Sequence, residues 1–268
     1  MPSARVQLDG ATALVTGASG GLGQAIAIAL AERGAQLIVR GRREAELQLL
    51  SDEIGGRAVV ADLAARHDVD QLIAEAADAD VLVANAGVPA TGLIADLSRA
   101  DIDRMLEINL RVPIILAKEL AAGMAARGGG HLVFISSLAG KAASPASSMY
   151  SATKFGLRGF ALALRQDLAR QGVGVSVVTP GFIRDAGMHH DSGARLPPGA
   201  GTKTPADVAA AVIRAIEENR AELDVAPAPL RVGAAFASLA PGLAARAARR
   251  MGSHRVASEH VKARSERN

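Results

Sequence analysis

Seven short apolar runs recur along the chain, each separated from the next by a longer stretch of helical character. The runs are Ala11–Thr16, Gln36–Arg40, Arg57–Ala61, Asp80–Asn85, His131–Ser136, Val173–Thr179 and Leu223–Ala226. Helices are expected near Gly21–Glu32, Arg43–Ile54, Arg66–Ala77, Asp101–Ala126, Ser148–Arg170 and Pro205–Asn219. Runs such as Val81-Leu82-Val83 and Leu132-Val133-Phe134-Ile135 lack polar alternate positions, so both faces of those strands must be covered. Alternating β and α with doubly covered strands leaves few solutions. The expected fold is α/β, a doubly wound parallel sheet of about seven strands with helices on both faces and right-handed crossovers. No internal repeat or interdomain linker interrupts the 268 residues, so one domain suffices.

The first strand runs directly into Thr16-Gly17-Ala18-Ser19-Gly20-Gly21-Leu22-Gly23 and then an Ala-rich helix. Glycines at 17, 21 and 23 permit a tight turn and close approach of backbone to a phosphate. The helix N-terminus, with unpaired amides and the positive end of its dipole, then faces that anion. The G-x-x-x-G-x-G spacing differs from the G-x-G-x-x-G fingerprint and from the P-loop. No Lys-Ser/Thr pair follows it, which excludes phosphoryl transfer of the P-loop kind.

Tyr150 is the one tyrosine of the chain, with Lys154 four residues after it and Ser137 thirteen before. Residues four apart share a helix face, so the Lys154 ammonium can reach the neighbourhood of the phenol. A cation there is expected to pull the tyrosine pKa from about 10 toward neutrality, making a proton donor usable at working pH.

The glycine loop, Ser137 and the Tyr150/Lys154 pair, in this order and spacing, resemble the short-chain dehydrogenase/reductase family. Other matches lie between them: Asp62-Leu63 after the third strand, Asn85-Ala86-Gly87 after the fourth, Asn109 in the long helix, Ser136-Ser137 after the fifth, and Pro180-Gly181 after the sixth. The resemblance covers about residues 8–226. It implies a Rossmann-type domain over 1–226, a C-terminal extension over 227–268, and a hydride passing between NADP or NAD and a carbonyl or alcohol carbon. By the same resemblance Tyr150 is the general acid/base, Ser137 steadies the substrate oxygen, Lys154 holds the ribose hydroxyls and Asn109 anchors a proton-relaying water. The implied cofactor contacts are Gly17, Ser19, Gly21, Leu22 and Gly23 of the loop, then Arg42, Asp62, Leu63, Asn85 and Gly87. Tyr150, Lys154, Pro180, Gly181 and Ile183 complete them. A protein that keeps this fold and binds nucleotide without turnover is the alternative reading.

NAD-specific members carry an acid after the second strand, whereas this chain reads Arg40-Gly41-Arg42-Arg43, with Gly41 at that position. Arginine there can pair with a 2′-phosphate, so NADP is expected, with NAD as the alternative. The chain departs from the family at Ala84, often Asn, and at Asp185, where a Thr usually bonds the nicotinamide carboxamide. A carboxylate there would need Arg184 to offset it. The stretch Arg184–Thr204 is expected to cover the substrate, a small carbonyl or alcohol compound whose identity its few apolar residues do not specify.

The absence of cysteine excludes disulfides and thiolate metal sites, and no metal is expected; the His189-His190 pair reads as incidental. No signal-like N-terminus or membrane-length apolar run is read, so a cytoplasmic protein is expected. Residues 246–268 hold seven Lys or Arg against two Asp or Glu, a net +5, while the whole chain is +3, leaving −2 for residues 1–245. The basicity therefore belongs to a tail expected to be partly disordered, and nucleic-acid binding is not expected. The helices at 101–126 and 148–170 are apolar on most sides, which points to a homodimer or homotetramer. The segment Val232–Met251 has near-helical apolar spacing broken at Pro241-Gly242. It is expected to pack on its own body or a neighbouring subunit rather than on a membrane surface.

Overall fold

A computed structural model describes residues 6–89, 92–187, 196 and 201–250. Its centre is a parallel sheet of seven strands among the described residues, in the order β3-β2-β1-β4-β5-β6-β7. These are β1 (Thr12–Thr16), β2 (Gln36–Gly41), β3 (Arg57–Val60), β4 (Val81–Ala84), β5 (Gly130–Ile135), β6 (Val173–Pro180) and β7 (Glu222–Val225). The intervening helices are α1 (Gly21–Ala31), α2 (Glu44–Ile54), α3 (Arg66–Glu75), α4 (Arg99–Leu106), α5 (Val112–Ala126), α6 (Ser148–Leu168) and α7 (Pro205–Glu217). The chain ends in α8 (Ala228–Leu239) and α9 (Pro241–Arg250).

Side chains of a strand alternate between faces, and the two faces carry separate cores. Ala13, Val15, Val83, Val133 and Val178 pack beneath Ile26 and Leu30 of α1 and Val208, Val212 and Ile216 of α7. Leu14, Leu82, Leu132, Phe134 and Val177 point the other way, against Leu72 of α3, Leu116 and Leu120 of α5 and Leu157 of α6. Phe134 meets Phe160 edge to face at 5.7 Å between ring centroids. With both faces covered, the strands need no polar positions, which is the physical content of the apolar runs.

Two regions differ from the sequence expectation. The helix expected over 101–126 starts at Arg99, capped by a reciprocal Ser98/Asp101 box, and is interrupted by a π turn over Glu107–Arg111. The second is the C-terminal segment. There α8 buries Ala234 against the body, and Ser238 Oγ donates to Lys141 O at 3.0 Å. Val232, Phe236 and Leu239 lie on its opposite side and remain exposed, so the segment is only partly packed on its own body. Proline at 241 starts α9 rather than simply ending α8, since its missing N–H is tolerated in a first helical turn. The His189-His190 pair, Met251, most of 188–200 and the tail beyond 250 lie outside the described residues.

One buried polar group couples this core to pH. His131 of β5 is inaccessible, its Nε2 sits 2.8 Å from Ser176 Oγ of β6, and Gly174 leaves room for the ring. Burial pushes its pKa down to about 3, with Arg165 adding to the effect. The unfolded chain takes up this proton near pH 6.5 while the folded one resists it. Stability is thus complete above pH 6.5 and is lost as pH falls toward 3. Urea unfolding should show a loss of about 3 kcal/mol between pH 7 and pH 4 from this group. His131→Asn should remove most of that acid sensitivity; an equal loss in the variant would discount His131 as its source.

Candidate active site

Strand order reverses between β1 and β4, and in such sheets ligands sit in the crevice outside the carboxyl ends of the strands at that switch point. The turn after β1 is held there by β4. Asn85 Nδ2 donates to Thr16 O (3.0 Å) and Gly17 O (3.3 Å). Thr16 Oγ1 accepts from the amides of Asn85 and Ala86, both at 3.1 Å. Gly17 has φ +69°, and a Cβ there would lie 2.8 Å from Ala86 Cα. At Gly23 a Cβ would stand 2.2 Å from Gly17 O, so that glycine lets the helix close against its own turn. The N-terminus of α1 has no side-chain cap, whereas α4 and α7 both carry full capping boxes. Free amides beside a Cβ-less turn fit a dinucleotide pyrophosphate.

Gly21 faces the chain leaving β6: a Cβ there would sit 2.5 Å from the Cβ of Ala186, and one at Gly187 would sit 2.8 Å from Leu22 Cδ1. The segment after Pro180-Gly181 therefore lies over the glycine turn. Its base is fixed by a bridge between Ile183 and Lys203, with Arg184 N donating to Lys203 O at 2.9 Å. Asp185 adopts φ +68°, and its exposed carboxylate pairs with Arg184 at 3.2 Å. The offsetting arginine is thus present, and it draws that carboxylate toward solvent.

The arginines at the end of β2 and just after it divide by role. Arg40 is buried and donates to Ala61 O; its pKa is pushed down to about 10 by burial, with Asp62 acting against that. Arg43 donates to Ser19 O and pairs with Glu46 at 3.1 Å. Arg42 is exposed and makes no hydrogen bond or ion pair among the described residues. Gly41 is buried against Ser19, whose Oγ would lie 2.6 Å from a Cβ at that position. Leu63 is a core side chain, so only its backbone can face an adenine. Asp62 Oδ1 accepts from Ala64 N at 3.1 Å, and the Asp62 amide donates to Asp68 at 2.7 Å.

At the end of β5 the structure brings Ser137, Tyr150 and Lys154 together. The Ser137 hydroxyl lies near enough to Tyr150 to act on its ionisation, and it accepts from Ala139 N at 3.1 Å. Lys154 is buried, its Nζ donates to Ile135 O at 2.9 Å, and it lies 5.7 Å from the centroid of the Tyr150 ring. Burial lowers its pKa to about 8. Tyr150 is half-buried, and desolvation raises its pKa, while the nearby Ser137 hydroxyl pulls the other way. This corrects the expectation of a depressed tyrosine. The ammonium sits over the ring and is engaged by a carbonyl, so the cost of burying a phenolate dominates.

Asn109 also differs from expectation in detail. It stands inside the π turn, fully buried, with Oδ1 accepting from Val88 N (2.7 Å) and Nδ2 donating to Val88 O (3.0 Å) and Thr153 Oγ1 (3.5 Å). Both ends of its amide are thus committed to protein, and a relaying water would have to be held by backbone. Thr16, Val88, Thr153 and Gly140 contribute to this geometry without having been singled out from the sequence. Only Thr16 left a signal there, as the residue before the first glycine.

A sequence profile described as short chain dehydrogenase matches residues 11–196. The chain belongs to the short-chain dehydrogenase family. Ketoacyl reductase HetN of Nostoc sp. is 38% identical to it over 232 residues, covering 83% of this chain and 81% of that relative. The 3-oxoacyl-(acyl-carrier-protein) reductase FabG of Rickettsia typhi is 35% identical over 181 residues, 67% of this chain and 75% of the relative. A solved short chain dehydrogenase/reductase family protein superposes with a TM-score of 0.77 at 32% identity, covering 82% of this chain and 97% of that one. This short-chain dehydrogenase is an NAD(P)-dependent oxidoreductase with a Rossmann-like sheet.

Proposed function

We propose that this short-chain dehydrogenase transfers a hydride between NADP(H) and a carbonyl or secondary-alcohol carbon, with Tyr150 as the general acid/base. The observation that carries the reading is the buried Lys154 beneath Tyr150, with Ser137 beside the same tyrosine. The dinucleotide supplies or accepts the hydride. In reduction, Tyr150 donates its proton to the carbonyl oxygen, and a raised pKa keeps the phenol protonated for that step. Ser137 donates to the same oxygen as charge builds on it. Lys154, with a pKa near 8, can pass a proton on near neutral pH and turn from Ile135 O to ribose hydroxyls. The glycine-turn amides would hold the pyrophosphate, and Asp62, Asn85 and Ile183 border the adenine and nicotinamide ends.

Arg42 supports NADP: it is the unengaged arginine after β2, beside a glycine where a carboxylate would repel a 2′-phosphate. NADP+ at about a hundred times its Kd should raise stability by roughly 2.7 kcal/mol, with a smaller rise for NAD+ at the same concentration. Thermal unfolding with each nucleotide checks this. A shift with NAD+ alone would discard the Arg42 reading, and a shift with neither would discard the site. The names of HetN and FabG make 3-oxoacyl thioesters the first substrates to assay.

The groove between α5 and α6, lined by Ile114, Phe160 and Leu164, supports a homodimer or homotetramer. Leu164→Glu should lower the mass measured by light scattering; an unchanged mass would place any interface elsewhere.

A further inference from the structure

Both C-terminal helices leave apolar side chains in solvent. On α8, Val232 (69% exposed), Phe236 (47%) and Leu239 (87%) follow i, i+4, i+7 spacing, and on α9 Leu243 is 57% exposed. The ridge of α8 lies opposite Leu230, Ala234 and Ser238, the side turned to the body. The same two helices carry exposed basic groups: Arg231 on α8 and Arg246, Arg249 and Arg250 on α9. From Ala228 to Arg250 the sequence contains no Asp or Glu at all.

An apolar stripe on helices whose only charges are arginines is the pattern of a helix that lies in the plane of an interface, its rings and leucines among acyl chains and its guanidinium groups at headgroup level. A second copy of the chain is a poor cover. The commonest self-contact is two-fold, and it would oppose this face to itself, bringing two sets of arginines together with no carboxylate between them. Among the described residues no helix is long and apolar enough to cross a bilayer, so the contact is a peripheral one.

We propose that the α8–α9 face docks on a lipid surface carrying anionic headgroups. The placement has a direct geometric consequence. Helix α8 leaves the carboxyl end of β7, whose neighbour β6 ends at Pro180, and Ser238 ties it to Lys141 of the segment following Ser137. Helix α8 therefore starts from the same carboxyl end of the sheet as the catalytic groups.

The test is flotation of the full-length protein with two kinds of vesicle, phosphatidylcholine alone and phosphatidylcholine mixed with phosphatidylglycerol. Binding is expected only to the anionic mixture and should weaken as salt is raised. Phe236→Ser with Leu239→Ser should reduce that binding about tenfold. Arg246→Gln with Arg249→Gln should reduce it roughly fivefold for each arginine removed. All four sites are exposed, so unfolding curves should match the parent, and the arginine pair keeps the test valid if the serine pair fails to fold. Equal binding to both vesicles would remove the role of the arginines and overturn the proposal, as would no binding to either. Undiminished binding by the serine pair would assign the attraction to the basic tail alone. A fall in particle mass on serine substitution, with no vesicle binding by the parent, would make a second copy the occupant.

Discussion

Tyr150→Phe is expected to lower turnover about 10³-fold while dinucleotide affinity changes less than about twofold. The substitution removes one oxygen from a ring whose edges stay packed, so the helix and Lys154 beneath it need not move. What disappears is the proposed proton donor, the phenol beside Ser137. The Ser137 hydroxyl retains its bond from Ala139 N, so it remains oriented in the variant. Steady-state rates with NADPH and a ketone, beside nucleotide titration by fluorescence, separate the two effects. Turnover within tenfold of the parent would overturn the proton-donor role, whatever the affinity.

Gly140→Ala should cost about 10² in kcat, through geometry rather than chemistry. Gly140 closes the short turn Leu138–Gly140 that begins at Ser137. A Cβ there would lie 2.7 Å from Lys154 O and 2.8 Å from Ser136 Oγ. The first of these is helix backbone and the second is already bonded to the same carbonyl at 3.0 Å, so neither can yield cheaply. The turn and α6 must then separate, and with them Ser137 and Tyr150. Overpacking of this kind destabilises by about 1–3 kcal/mol, which unfolding curves would register. Gly159→Ala is the matched control, since it lies on the same helix with nothing within 4 Å of the added methyl. It should keep full activity and gain about 0.5–1 kcal/mol. Parent-like kcat in Gly140→Ala would refute the spacing argument.

The strands were legible because runs such as Val81–Ala84 and Leu132 to Ile135 are apolar at successive positions, as expected of strands covered on both faces. The switch-point position of the glycine turn followed from its place between β1 and α1. What the sequence could not convey were features created by tertiary partners. The π turn exists where Asn109 reaches across to both backbone groups of Val88, twenty-one residues earlier, and no local periodicity encodes that reach. The tyrosine pKa departs from the expectation for a related reason. Spacing places Lys154 near Tyr150, but only the fold shows the ammonium spent on Ile135 O and both groups desolvated. The arginines around the end of β2 look alike in sequence, and burial alone distinguishes Arg40, committed to Ala61, from Arg42. For the C-terminal segment, helical spacing was visible, but which side met the body was not.

The π turn has a consequence for how this chain can vary. It adds a surplus residue to an otherwise continuous helical rod, and one residue rotates everything beyond it by about 100°. Deleting any position between Glu107 and Arg111 would restore regular winding and turn Asn109 away from Val88, or, with the wide turn kept, would swing Val112, Leu116 and Leu120 off the sheet. Composition along this stretch is negotiable, since one apolar side chain can replace another. Its length is not: between Met105 and Met124 the chain keeps count.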